Sequence, residues 1–196
     1  MRHRMRRTHA WIWTGAALLA AALAVAGIGS AVAIEAKAVC AQALLRMAWE
    51  RARAGAIDPR PWPWADTHPL ARLEAPSQQV DMIVLSGASA RTLAFGPGHH
   101  DGSAAPGEEG NTVLTGHRDT HFRFLQALAP GAALVLESRR GVRERFVVRT
   151  TAVADYRTLA LPRDTATRTL TLVTCYPFDA IAPGGPLRYL VTATAE

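Results

Sequence analysis

The chain has 196 residues, of which 49% are hydrophobic and 19% charged, a balance that excludes a largely disordered protein. The formal net charge of +6 first suggests nucleic-acid binding, but residues 1–37 carry five of the 22 basic groups and one of the 16 acidic groups. The remaining 17 basic and 15 acidic groups nearly cancel, so most of the chain lacks the basic surface of a nucleic-acid-binding protein.

The first predicted elements are a basic N-terminus at residues 1–9 and an uncharged apolar run at residues 10–34. The run is about 25 residues long, and about 20 suffice to cross a bilayer. Because arginines precede it, the pattern predicts a single-pass membrane anchor with a cytoplasmic N-terminus and the rest of the chain outside the cytoplasm. A cleaved signal peptide is the alternative, since Ala31-Val32-Ala33 fits the small-residue cleavage pattern.

A connecting region is predicted over residues 35–69, with an amphipathic helix at 35–54 and a Pro/Trp-rich linker at 58–69. The predicted apolar face of the helix consists of Ala36, Val39, Cys40, Ala43, Leu44 and Met47. On this face Cys40 is interpreted as a small buried hydrophobe and not as a disulfide partner of Cys175. The two linker tryptophans are expected to dock on a domain surface or at the membrane interface.

Residues 70–196 are predicted to form a mainly β domain, because short apolar runs alternate with turn residues. The predicted strands are Ala71–Ala75, Val80–Ser86, Asn111–Thr115, Ala133–Glu137, Arg145–Ala154, Arg168–Thr174 and Leu187–Thr194. Short helical turns are predicted at Ala90–Phe95 and His121–Leu128, and residues 96–111 have the composition of a flexible surface loop. Brief connections between short strands favour one closed or nearly closed β-barrel.

Three predicted strand ends carry side chains that are suited to catalysis: Cys175 after "TLTLVT", His117 in "NTVLTGHRD" and Arg188 in "PLRYLVTA". A thiol attacks carbonyls well only as the thiolate, and a neighbouring imidazole can take its proton. A guanidinium stays charged and can hold an oxyanion, a substrate backbone or both. Thr174 can add its hydroxyl or orient the backbone beside Cys175. A structural thiol at Cys175 is the alternative.

These same segments resemble the sortase family. "TLVTC", which ends at Cys175, matches the TLxTC signature of sortases, and "LTGHRD" and "LRYLVTA" are similar to the strands that carry the family's histidine and arginine. The order His, Cys, Arg also matches, and the similarity spans residues 71–196. "PWPWADTHPLARLEAP" and the arginine after His117 look most like the class GN sortases of Gram-negative bacteria.

The resemblance implies a closed eight-stranded sortase-type barrel with short helices, preceded by the membrane anchor and the amphipathic helix. It also implies an inner-membrane cysteine transpeptidase whose catalytic domain is periplasmic. This enzyme cleaves a C-terminal sorting signal of a secreted partner protein through a Cys175 thioacyl intermediate and transfers it to an amine or to water. His117 would be the acid/base partner, Arg188 the oxyanion and substrate clamp, and Thr174 a helper. No cofactor or metal is expected, while calcium dependence and the acceptor stay open.

Three other interpretations remain for these segments. His117 and His121 lie four residues apart and would share a face on a helix, as zinc ligands do. The L,D-transpeptidases are also cysteine enzymes with a β-rich fold, but their cysteine follows a Ser-x-Gly pattern that is not found before Cys175. A non-catalytic membrane-anchored β-barrel would instead bind a partner through the linker or a sheet edge.

Overall fold

The computed structural model describes residues 40–180 and 184–196, in which eight strands accompany helix α1 at residues 40–53 and the short helix α2 at Ala90–Leu93. The strands are β1 (Pro69–Ala75), β2 (Val80–Ser86), β3 (Gly98–His99), β4 (Asn111–Thr115), β5 (Ala133–Ser138), β6 (Arg143–Asp155), β7 (Thr169–Cys175) and β8 (Leu187–Ala195). Two 3₁₀ turns lie at Pro76–Gln78 and Arg123–Ala127.

The strands close into one barrel in the order β1-β2-β3-β4-β7-β8-β6-β5, with β5 pairing back onto β1. The predicted closed eight-stranded barrel is therefore confirmed. Most neighbours are antiparallel, but β2 pairs with β3 and β4 pairs with β7 in parallel. The parallel pair β4–β7 matters for function, because its register relates the histidine segment to the cysteine segment.

Strand β3 lies within residues 96–111, which the sequence predicted as an irregular loop. It consists of two residues, and Gly98 pairs with Leu85 of β2. A Cβ atom on Gly98 would lie 2.2 Å from the Gly87 carbonyl oxygen, so only glycine permits this approach of the two backbones. The pairing is thus a backbone interaction that an apolar pattern cannot reveal.

The barrel interior is filled by alternate side chains of each strand, as the two-residue period of a β-strand requires. Leu114 of β4, Leu172 of β7 and Val191 of β8 are fully buried in this core. Their sequence neighbours Val113, Val173 and Leu190 form a separate apolar cluster. The outer faces of β4, β7 and β8 therefore share an apolar surface of their own.

Helix α1 packs on the outer face of β2, where Leu45 and Trp49 contact Ile83 and Leu85. The face predicted from the sequence is wrong in phase, because the buried positions are Leu45, Ala48, Trp49 and Ala52. The buried face includes Trp49, the largest apolar side chain of the helix, whose burial contributes more free energy than that of any smaller side chain.

All four described residues that the sequence placed on the apolar face of this helix are exposed, Ala43 among them. Leu44 is 39% and Met47 63% exposed, and Cys40 is also exposed. The prediction that Cys40 is a buried hydrophobe is therefore wrong. Residues 35–39 of the predicted helix lie outside the described residues.

The segment between α1 and β1 docks through only one of its tryptophans. Trp62 packs edge-on against Phe95, with ring centroids 4.8 Å apart, whereas Trp64 is 80% exposed. The predicted N-terminus at 1–9 and anchor at 10–34 lie outside the described residues. In the part of the chain that is described, no helix has the length and apolar character needed to span a bilayer.

Candidate active site

Cys175 and Arg188 are direct cross-strand neighbours. Cys175 is the last residue of β7, and its pairing partner on the antiparallel strand β8 is Arg188. Side chains that are directly opposite in such a pair project from the same face, with Cβ atoms about 4.5–5.5 Å apart. The structure therefore brings the predicted nucleophile and the predicted clamp together at one end of the sheet.

His117 lies on the other side of Cys175. Strand β4 pairs with β7 in a constant parallel register that ends at Thr115 opposite Val173, and the Gly116 N–H still donates to the Val173 carbonyl at 3.2 Å. The same offset carried two residues further sets His117 opposite Cys175. At the level of the backbone, His117, Cys175 and Arg188 therefore lie in one row, and neighbouring strands of a sheet are about 4.8 Å apart.

The backbone around His117 is fixed by two buried neighbours. The Thr174 hydroxyl donates to the Gly116 carbonyl at 2.7 Å, and Thr174 is 2% exposed. The His117 carbonyl accepts a hydrogen bond of 2.9 Å from the N–H of Phe122, which is fully buried in the core. A Cβ atom on Gly116 would lie 2.8 Å from the Phe122 ring, so glycine allows this turn to close.

The row faces solvent on the outer side of the barrel. His117 is exposed, while Cys175 and Arg188 are partly buried. Thr174 belongs to the inward-facing set of β7, and its hydroxyl contacts the Gly116 carbonyl. Thr174 thus contacts the backbone of the residue before His117, while its role as a helper stays a prediction.

The Arg188 guanidinium is held on one edge and on one face. Its Nη1 donates to the carbonyls of Gly185 at 2.8 Å and Leu187 at 2.9 Å. Its Cζ lies 4.8 Å from the centre of the Tyr156 ring, which is a cation–π contact. No sequence pattern singled out Tyr156, because only the folded barrel brings the turn after β6 next to the start of β8.

Two titratable groups beside the row have shifted pKa values. Hydrogen bonds from Arg157 lower the pKa of Asp155, next to Tyr156, to about 2, and the charge of Arg188 acts in the same direction. Burial, and then the neighbouring His117, lower the pKa of His121. The site is therefore bordered by an ionised carboxylate on one side and an imidazole that resists protonation on the other.

The zinc interpretation loses its structural premise. Residues 117–121 form turns and no helix, so His117 and His121 do not share a helical face. Within residues 40–180 and 184–196, no group of three or more His, Cys, Asp or Glu side chains is placed to hold a metal ion.

An apolar groove of about 350 Å³ runs along the outer face of β4 and β7 up to Arg188. Four of its lining residues are aliphatic: Val113, Val173, Leu159 and Leu161. The lining also includes Ser103, His100, Tyr156 and Arg188. Val173 is two residues before Cys175 on the same face of β7, and Arg188 is the cross-strand partner of Cys175. The groove therefore reaches Arg188, the cross-strand neighbour of Cys175, while Cys175 itself is not among its lining residues.

A second cavity, of about 470 Å³, begins at the residues that follow His117 and Cys175. It is lined by charged and aromatic side chains, among them Arg118, Asp119, Tyr176 and Asp179. Arg118 spans the two segments, since its Nη2 donates to the Ala180 carbonyl at 2.8 Å. The candidate site thus has an apolar approach and a polar approach.

The model of the sortase domain family matches residues 73–196, which is more than half of the chain and includes the whole row. The chain belongs to the sortase family. Sortases are cysteine transpeptidases, and a cysteine beside a histidine and an arginine is chemically suited to that reaction. The family assignment made from the sequence is confirmed.

Individual sortases agree with this assignment. Sortase D of Bacillus subtilis (strain 168) is 34% identical over 119 residues, which are 61% of this chain and 60% of that protein. The chain therefore spans about three fifths of this curated relative. The crystal structure of sortase C-1 from Actinomyces oris is 29% identical, with a TM-score of 0.59 over 65% of this chain and 72% of its own.

Sortase C of Clostridium perfringens, in a structure with the C-terminal cell wall sorting motif, shares the fold. Its TM-score is 0.59 at 20% identity, covering 82% of this chain and 89% of that one.

Proposed function

We propose that this sortase is a membrane-anchored transpeptidase that cleaves the C-terminal sorting signal of a secreted partner protein. The proposal is supported by the pairing of Cys175 with Arg188, by the strand register that would set His117 opposite Cys175, and by the apolar groove that reaches Arg188. A thiol with only a structural role would not need a base on one neighbouring strand and a permanent cation on the other.

In the acylation step, His117 takes the Cys175 proton and the thiolate attacks the scissile carbonyl of the sorting signal. The C–S bond forms, and the carbonyl oxygen becomes an oxyanion that accepts hydrogen bonds from the Arg188 guanidinium. The C–N bond then breaks, and the imidazolium of His117 gives its proton to the leaving amine. A thioacyl ester on Cys175 remains.

In the second step an amine attacks the thioester carbonyl and loses a proton to His117. The C–S bond breaks, a new amide is released, and the Cys175 thiolate recovers the proton. Water in place of the amine gives a carboxylate product by the same sequence. The polar cavity beside Cys175 is the approach that we assign to this second reactant, because the apolar groove is occupied by the sorting signal.

The bound sorting signal is an extended peptide with apolar side chains, which suits a groove lined by valines and leucines along a strand. The sortase C structure that contains a sorting motif has the same fold, which supports a peptide ligand for this chain. We assign the chain to class GN and to the inner membrane of a Gram-negative bacterium, with the barrel in the periplasm. The motif around the linker and the uncharged run at residues 10–34 support this assignment.

The test uses the full chain in detergent micelles, a peptide library randomised at the cleavage region, and hydroxylamine as the amine. We expect peptide hydroxamates in solution and a thioacyl adduct on Cys175, both detected by mass spectrometry. Cys175→Ala abolishes both products, whereas Cys40→Ala leaves them unchanged, because Cys40 lies outside the row.

Iodoacetamide labelling gives a control that needs no substrate. Cys175 should be alkylated faster than the exposed Cys40 at neutral pH, and His117→Ala should remove the difference. Equal labelling of both thiols, together with no hydroxamate formation by the parent chain, would refute the transpeptidase. That outcome would favour a non-catalytic binding module on the same barrel.

A further inference from the structure

The turn after β6 places an aromatic ring against the Arg188 side chain. The N–H of Tyr156 donates to the Pro186 carbonyl at 3.0 Å, which joins the end of β6 to the residue before β8. The Asp155 carboxylate accepts from the Arg157 N–H at 2.9 Å, and the Asp155 carbonyl accepts from the Leu159 N–H at 2.9 Å. The backbone that carries Tyr156 is therefore fixed on both sides.

The Tyr156 ring contacts one face of the guanidinium, and two backbone carbonyls accept hydrogen bonds from one of its edges. Nη1 of Arg188 is used by the Gly185 and Leu187 carbonyls, and the Tyr156 ring lies 4.8 Å from Cζ. Among the residues that the structure describes, none accepts a hydrogen bond from Nε or Nη2 of Arg188. These donors are left for an anion that forms at Cys175.

A flexible arginine is a poor oxyanion donor until its side chain is ordered, because ordering it costs about 2 kcal/mol of rotamer entropy. A ring that already holds the guanidinium in place means that less of this entropy is lost when the transition state forms. The site is then preorganised. The ring does not need to touch the substrate to have this effect.

We infer that Tyr156 is a positioning residue, which holds the Arg188 guanidinium by a cation–π contact in the orientation that stabilises the oxyanion on Cys175. The inference rests on the proposed function, specifically on Arg188 as the oxyanion donor. It adds a residue that lies outside the row and acts through Arg188.

The test uses para-nitrophenyl acetate, a small activated ester that acylates the thiolate and releases para-nitrophenolate. Because this ester does not fill the apolar groove, a residue that only lines the groove has no influence on the rate. The full chain carries Cys40→Ala, so that acylation reports on Cys175 alone, and Cys175→Ala provides the blank. Val153→Ala is the matched control, since Val153 is an exposed residue of β6, the strand that precedes Tyr156, and lines neither cavity.

Tyr156→Leu should lower the second-order acylation rate constant about three- to tenfold, which corresponds to about 0.6–1.4 kcal/mol. Tyr156→Phe keeps the ring and should stay within about twofold of the parent chain. In an Arg188→Ala background, Tyr156→Leu should cause no further loss, since the two residues act as one unit. The Val153→Ala control should not change the rate.

Two results separate this inference from the proposed function. If Arg188→Ala does not slow acylation, the proposed role of Arg188 is wrong. If Arg188→Ala slows acylation but Tyr156→Leu does not, or if Tyr156→Phe is as slow as Tyr156→Leu, the positioning role is wrong. Additive losses in the double variant also overturn it. Tyr156→Met replaces the leucine variant should that one fail to fold.

Discussion

A hydrogen bond from the Thr174 hydroxyl to the Gly116 carbonyl joins the cysteine strand to the backbone before His117, and its removal gives a sharp prediction. Thr174→Val keeps the branched shape of the side chain but replaces the hydroxyl with a methyl group. The Gly116 carbonyl then loses the donor that lies 2.7 Å away. Thr174 is only 2% exposed, so water cannot easily take over.

A buried carbonyl without its donor costs about 1–3 kcal/mol of unfolding free energy. A domain of 150–250 residues loses about 2–4 °C in Tm per kcal/mol, so the expected decrease is about 2–12 °C. The effect on catalysis should be larger. Displacement of His117 by about 1 Å relative to Cys175 costs up to about a hundredfold in rate, and we expect a loss of about ten- to hundredfold.

Two assays on the full chain in detergent micelles check this prediction: thermal unfolding followed by far-UV circular dichroism, and acylation by para-nitrophenyl acetate. Thr174→Ser is the control, because it keeps the hydroxyl and loses a buried methyl group. The serine variant should lose about 1 kcal/mol of stability but acylate almost as fast as the parent chain. A valine variant with the Tm and acylation rate of the parent would refute the argument that this hydrogen bond positions His117.

Two further predictions concern the neighbourhood of the site. Gly116→Ala should destabilise the fold by about 1–3 kcal/mol and slow acylation, because its Cβ would lie 2.8 Å from the Phe122 ring. Gly185→Ala, whose nearest neighbour would be 3.7 Å away, should keep the parent Tm, and equal Tm values for the two variants would contradict the steric argument. Burial lowers the pKa of both His68 and His121, so near pH 6.5 the unfolded chain binds protons that the folded chain does not. The unfolding free energy should therefore be highest above that pH and decline as the pH falls, which denaturant titrations at several pH values measure. The absence of a decline would contradict this reasoning, as would an unchanged pH dependence in a His68→Gln/His121→Gln variant.

Seven strands could be predicted from the sequence, because each has an apolar run of β-type length bounded by turn residues. Strand β3 could not, since Gly98 and His99 pair through the backbone alone in a glycine-rich segment. The phase of helix α1 could not be predicted either. Several faces of that helix are apolar, and the contacts of Leu45 and Trp49 with β2 determine which one is buried.

The candidate site divides in the same way. Cys175, His117 and Arg188 could be singled out because each ends or begins an apolar strand, a local property of the sequence. Their alignment in one row depends on two registers that involve residues 58 and 13 positions apart, and no local pattern encodes these registers. The contact of Tyr156 with Arg188 could not be predicted from the sequence at all, because it depends on the path of a turn.

The parallel pairing of β4 with β7 has a consequence for the time before the protein is folded. The segment between these strands must already be in place before the two can meet, and such non-local contacts form late. Until then Cys175 is an ordinary, weakly nucleophilic thiol with no base beside it. Under the proposed function, Cys175 therefore gains its base only once β4 and β7 have paired, and a newly made chain carries this thiol without the imidazole beside it.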